Sequence, residues 1–196
     1  METFIKFRPM VVDPRYQDRR KQCLNELNID ELDAPIADLI DDLCEFTFCF
    51  TIQSCFGHFL YAGKEDPNNI DPLPSTNDIY TAEYRIAYIA LCVENSSSGR
   101  EFLRRLKQLP EIDPQYIQFG CAGWFLDRNP NSYVLQVEPE RFMGKDKCTV
   151  DYQEALHIEK VRNAFYDRLR MLVSKINRPY QLSSTQCGIL FPLAVY

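Results

Sequence analysis

Long apolar runs are missing from this chain. No stretch reaches the roughly 18 consecutive apolar residues of a membrane-spanning helix, so no membrane partner is expected. The opening residues, Met1 to Lys6, lack an extended apolar segment, so no secretory leader is expected either. Glycine is scarce, at seven of 196 residues. Neither a P-loop nor GxGxxG occurs, which removes both common glycine-built phosphate cradles. Basic charge is not in excess: 22 Lys and Arg face 28 Asp and Glu, for a net charge of −6. That balance excludes a strongly basic DNA binder and leaves RNA contact to a local basic face. Eight cysteines are present, yet none forms a CxxC pair, and no four-ligand zinc spacing occurs. Most lie within apolar runs, where reduced cysteine acts as a small hydrophobe, which implies a reducing, cytoplasmic compartment.

What is present is core material. Hydrophobic residues make up 45% and aromatics 13%, enough for one packed domain over 1–196. Asp13-Pro14 predicts a helix start, with a helix running to about Leu27. A second helix is expected from near Asp33, with Pro35 in its first turn and Ile36, Leu39, Ile40 and Leu43 as its apolar stripe. Gln22 to Glu45 holds eight acidic residues and no Lys or Arg, which reads as a solvated face. Between Glu45 and Cys55, Phe46, Phe48, Phe50 and Ile52 alternate with Thr47, Cys49, Thr51 and Gln53, the period of a strand.

A Pro- and Asn-rich loop, a lid or a disordered connection, is expected over 62–82. Tyr84 to Val93 predicts a second strand. Ser98 and Glu101 read as a capping box opening a helix with Phe102, Leu103, Leu106 and Leu109 buried. A strand over Tyr116 to Leu126 and another over Ser132 to Glu138 should form a hairpin about Asn129-Pro130-Asn131. Pro139 to Thr149 reads as irregular. The last helix is expected from Asp151 to about Ile176, with Lys160, Arg162, Arg168, Arg170 and Lys175 on its exposed side. Residues 179–196 form a C-terminal extension, an edge strand or a docked tail. The element order implies an α/β or α+β fold, with helices packed on a mixed sheet.

Chemistry concentrates at Ser54-Cys55-Phe56-Gly57-His58, where the first strand ends. Gly57 lets the backbone turn sharply, gathering Ser54, Cys55 and His58 at a strand end. His58 titrates near neutrality when unperturbed. With Cys55 it could form an activated thiolate, a pair of metal ligands, or an acid–base pair, each needing a third group. Ser54 and His58 could equally orient a small molecule or nucleotide. Cys55 as a core thiol and His58 as a satisfied turn histidine is the structural alternative. Arg85 could bind an anion, Trp124 could stack on a flat ligand, and the basic side of the last helix could meet phosphate.

Several segments together resemble the tRNA wybutosine-synthesis methyltransferase family. That family has an acidic helix before a strand ending in Ser-Cys-Ser-Gly-Arg, matched here by Ser54-Cys55-Phe56-Gly57-His58. Its later strand, Phe-Lys-Phe-Glu-Pro-Phe-Ile-Leu-His-Val, is matched by Tyr84 to Val93, and its Gly-Phe-x-x-Ser-Gly strand by Gln118 to Gly123. The resemblance runs from about Lys21 to Glu138. It implies S-adenosylmethionine as cofactor and a modified guanosine in tRNA as substrate. His58 stands at the family arginine and Phe56 at a serine. Ser54, Cys55 and Gly57 match, Arg85 replaces a lysine, and no catalytic role carries over.

Overall fold

The computed structural model describes residues 4–5, 7–76 and 78–184, with side chains described over 7–76 and 78–176. Its elements are β1 (Phe4–Ile5), α1 (Tyr16–Glu26), α2 (Ala37–Glu45), β2 (Cys49–Cys55), β3 (His58–Tyr61), β4 (Thr81–Arg85), β5 (Ala87–Val93), α3 (Ser97–Leu106), β6 (Ile117–Ala122), α4 (Gly123–Leu126), β7 (Ser132–Val137), β8 (Lys147–Asp151) and α5 (Tyr152–Ser184). Five strands form one sheet, in the order β1-β6-β7-β5-β2, and three form another, β3-β4-β8. Every pairing is antiparallel, so the architecture is α+β. No helix among the described residues is long and apolar enough to cross a membrane.

The core follows the sequence pattern. Ile36, Leu39, Ile40 and Leu43 are fully buried, as their stripe demands. Ile158, Val161, Phe165, Leu169 and Val173 do the same for α5. These helix faces and the inner faces of both sheets form one cluster. Across the larger sheet, α1 covers Phe50 and Cys92 through Tyr16, and α4 covers Ala90 and Val134 through Phe125. The seven described cysteines are free thiols, six of them buried.

The chain crosses directly between the two sheets at two tight junctions, out of the larger sheet after β2 and back into it after β4. β2 ends at Cys55 and β3 begins at His58, so Phe56-Gly57 is the first crossing. The expected strand Tyr84 to Val93 is in fact two, β4 and β5, broken at Ile86. Ile86 donates its N–H to Asp146 O rather than to a ladder partner, which moves the chain between sheets. Tyr84 bridges that break: its hydroxyl donates to Val137 O at 3.0 Å and accepts the Ala87 N–H at 2.9 Å.

Other expectations shift for local reasons. The cap of α3 is Ser96, whose Oγ accepts the Gly99 N–H, while Glu101 is drawn to Arg104 and Arg105 at 2.8 Å. The strand expected to reach Leu126 stops at Ala122, and Gly123–Leu126 coils into one helical turn. The irregular stretch 139–149 contains the start of β8, a short edge strand alternating exposed and buried. At α5 the expectation holds: Asp151 Oδ1 accepts the Glu154 N–H. The helix continues through Ser184, into the expected extension; 185–196 lie outside the described residues.

The loop after Tyr61 ends at Tyr80, where β4 starts. Its described residues are pinned to the body at several places. Asn69 is buried and donates from Nδ2 to Phe59 O; Leu73 is buried and donates its N–H to Glu159; Pro74 O accepts the Tyr152 hydroxyl.

Candidate functional site

The site lies where the two crossings touch. Gly57 has φ +91°, a region that L side chains rarely adopt. A Cβ built on it would stand 2.8 Å from Ala87 Cβ and 3.0 Å from Ala87 N. The glycine expected to turn the strand is therefore also the place where the crossings meet.

His58, the first residue of β3, is 2% exposed. Its Nε2 lies 3.3 Å from Asp33 Oδ2, and its Nδ1 lies 3.2 Å from Asn69 O. Both neighbours are acceptors, a setting that favours the protonated ring. The Asp33 hydrogen bond, and secondarily one with Cys55, outweigh burial and push His58 up to about 10. Half-burial alone would raise the Asp33 carboxyl. The His58 bond, the Phe56 N–H and the charges of His58 and Arg85 overcome it and hold that carboxyl below its usual value. Phe56 N donates to Asp33 Oδ2 at 2.7 Å, so the carboxylate is fixed from two sides.

Cys55 is buried beside this pair, and its carbonyl accepts the Tyr166 hydroxyl at 2.6 Å. The donor atoms of Asp33, Cys55 and His58 all lie within 4.8 Å of one another. Asp33 and Cys55 both face the His58 ring, so the ring is shared between them and is not reserved for the thiol as in a simple nucleophile–base pair.

Arg162 closes the site from α5. Expected on the exposed face, it is 3% exposed: its Nη1 donates to Gly57 O at 2.9 Å, and its guanidinium stacks 4.0 Å from the Phe56 ring centre.

The sequence candidates separate. Cys55, Gly57 and His58 come together. Ser54 pairs with Ile89 while Cys55 pairs with Tyr88, so Ser54 points to the opposite side of β2 from Cys55. Arg85 pairs with His58 across the β3–β4 ladder, with its side chain exposed. Trp124 is 54% exposed and stacks with Arg128 at 4.0 Å, with no contact given to the cluster. His157 belongs elsewhere, 3.0 Å from Asp113. Asp33 and Arg162 are the residues that the sequence reading missed. Asp33 stood among eight acidic residues, but its side chain caps no helix. Arg162 sits four residues after Ile158 and four before Tyr166, inside the apolar stripe, and that position was its signal.

Two open spaces lie away from this cluster, between α3 and α5. One cleft of about 230 Å³ is lined by Arg104, Arg105, Gln108, Arg168, Met171 and Lys175. It shares Arg105 and Lys175 with a neighbouring cavity of about 350 Å³ lined by Phe48, Ser98, Phe102 and Ile176.

A further ionisable group is enclosed at the end of β7. Glu138 is fully buried, accepts from Gln136 Nε2 at 2.6 Å and from Lys145 N–H at 3.2 Å, and burial pushes it up to about 7. A carboxyl raised in the folded state stabilises most below its ordinary value of 4.5 and loses that contribution as pH rises through 7. Glu138→Gln should therefore gain about 1–2 kcal/mol over the wild type on going from pH 5 to pH 8. Melting curves at the two pH values check this; parallel curves would show an ordinary carboxyl.

No family model matches the chain, and no curated protein matches it. Two solved structures, each of the PH1069 protein from Pyrococcus horikoshii, the second from strain OT3, are similar to it at 14% identity. The first covers 83% of this chain and 96% of its own, with a TM-score of 0.48; the second covers 85% and 95%, with a TM-score of 0.46. A likeness of that degree bears on neither site.

Proposed function

We propose that this protein binds a phosphate-bearing aromatic small molecule, a nucleotide in the simplest case, in the cleft between α3 and α5. The observation that carries the reading is a concentration of charge. Four cationic side chains line one cleft of a chain whose net charge is −6. Glu101 engages Arg104 and Arg105, but Arg168 and Lys175 come from the other wall. Such a cleft attracts polyanions and concentrates them locally. Arginine forks suit phosphate oxygens, and the lysine adds a point charge. The adjoining cavity offers Phe48 and Phe102 to an aromatic body. Together the spaces fall within the roughly 300–1,000 Å³ of small-molecule sites. On this reading, the small-molecule site lies away from the Ser54–His58 turn.

Calorimetric titration with ATP, inorganic pyrophosphate and S-adenosylmethionine tests it. ATP should bind, more weakly at high salt, and Arg168→Ala with Lys175→Ala should weaken it at least tenfold. Binding of S-adenosylmethionine in preference to ATP would instead favour the methyltransferase-like reading. No binding of ATP or pyrophosphate would remove the proposal.

A further inference from the structure

The sheet junction holds a second kind of chemistry. We propose that Asp33, Cys55 and His58 form a binding site for a divalent transition metal, zinc in the first instance. The three donors are a carboxylate oxygen, a thiol sulfur and an imidazole nitrogen, a set that suits a borderline ion such as zinc. They lie within 4.8 Å of one another. Tetrahedral zinc, with bonds of about 2.0–2.3 Å, holds neighbouring donors roughly 3.3–3.8 Å apart. His58 Nε2 and Asp33 Oδ2 already stand at 3.3 Å.

Each donor is oriented by a partner that a metal would leave in place. His58 Nδ1–H points at Asn69 O, the bond that usually fixes the ring of a metal-binding histidine with Nε2 toward the ion. Asn69 is itself held by its amide bond to Phe59 O. The Phe56 N–H fixes Asp33, and the Tyr166 hydroxyl fixes the Cys55 carbonyl. Gly57 and Arg162 fix the turn between Cys55 and His58. Such prior orientation is what a metal site requires and what scattered surface donors lack.

Charge and protons balance. Ligation needs an unprotonated His58 Nε2 and a Cys55 thiolate, so any proton held at either atom leaves on binding. The carboxylate and thiolate then neutralise the dication. The charged and titratable groups facing the site are Arg85 and Tyr84 from β4 and Arg162, Tyr166 and Glu159 from α5. The two arginines therefore meet a neutral centre. The Asp33 side chain, 23% exposed, marks the way in from solvent. Three protein ligands leave a fourth position for water, as in zinc sites that do chemistry.

Titration with Co²⁺, and with Zn²⁺ in competition, decides the matter on the purified full chain. One equivalent of Co²⁺ should produce a sulfur-to-cobalt charge-transfer band that Zn²⁺ abolishes. Zinc calorimetry in buffers of different protonation enthalpy should report net proton release, as ligation by an imidazole and a thiolate requires. Cys55→Ser should lose the band, and Asp33→Asn should weaken cobalt binding at least tenfold, with circular dichroism confirming that each is folded. A missing band overturns the proposal, as does a band that persists in Cys55→Ser, which would belong to another of the eight cysteines. Should Cys55→Ser fail to fold, unchanged affinity in Asp33→Asn overturns it equally.

Discussion

Gly57→Ala is expected to lower stability by about 3–4 kcal/mol, through two mechanisms that add at one atom. The first is backbone strain, because φ +91° is a region that alanine rarely adopts. The second is overlap, because the new methyl would stand 2.8 Å from Ala87 Cβ and 3.1 Å from Ala87 Cα. Ala87 cannot easily retreat: its N–H is held by the Tyr84 hydroxyl, and its Cα pairs with Val137 across the ladder. For a chain of this length the melting temperature should fall by roughly 6–16 °C. Gly63→Ala separates the two causes. Its φ is +86°, yet nothing lies within 4 Å of the added Cβ, so it should carry the strain alone, about 1 kcal/mol. Equal losses in the two variants would show that the crossings are not in tight contact.

Asp33→Asn should remove about 2–3 kcal/mol near pH 6 and flatten the dependence of stability on pH. The two partners shift in opposite directions, so each sign is worked out separately. His58 is pushed up to about 10, so its contribution is complete below 6.5 and is lost as pH rises through 10. Asp33 is held below 3.8, so its contribution is complete above that value and is lost as pH falls through its lowered one. The pair therefore stabilises fully between about pH 4 and pH 6.5. Denaturant unfolding at pH 6, 8 and 10 should show the wild type weakening more steeply than Asp33→Asn, both sharing the loss from Glu138. Asparagine can still accept the Phe56 N–H, so the variant isolates the ion pair. A wild type equally stable at pH 6 and pH 10 would show that His58 is neutral.

The parts of this arrangement that could be read in advance were local. The stripe Ile36, Leu39, Ile40 and Leu43 reflects one helix meeting one core, and the structure has it. The strand read from Phe46 begins only at Cys49, because Phe46 and Phe48 lie in the turn after α2 and pack in the main core while Phe50 packs under α1. The turn at Gly57 was legible because few residues bend a strand end so sharply. The missing parts were long-range. Asp33 and His58 are 25 positions apart, and Arg162 meets Gly57 across 105. No periodicity encodes such pairings. The break at Ile86 was hidden for another reason: Tyr84 to Val93 is suited to a strand throughout, and only its partners divide it. The cleft between α3 and α5 was legible in half. The basic residues of the last helix could be counted, but Arg104 and Arg105 opposite them required the fold.

The double crossing at Phe56-Gly57 and Ile86 has a mechanical consequence. Two sheets joined by one linker make a hinge. Two sheets joined by two adjacent crossings, bolted by Arg162 on one side and Tyr84 on the other, make a clamp. Bending one sheet against the other would have to open both crossings together. If the cleft holds a ligand as proposed, its adjustment then falls to α3, because α5 carries Arg162 and Tyr166 and is itself part of the clamp.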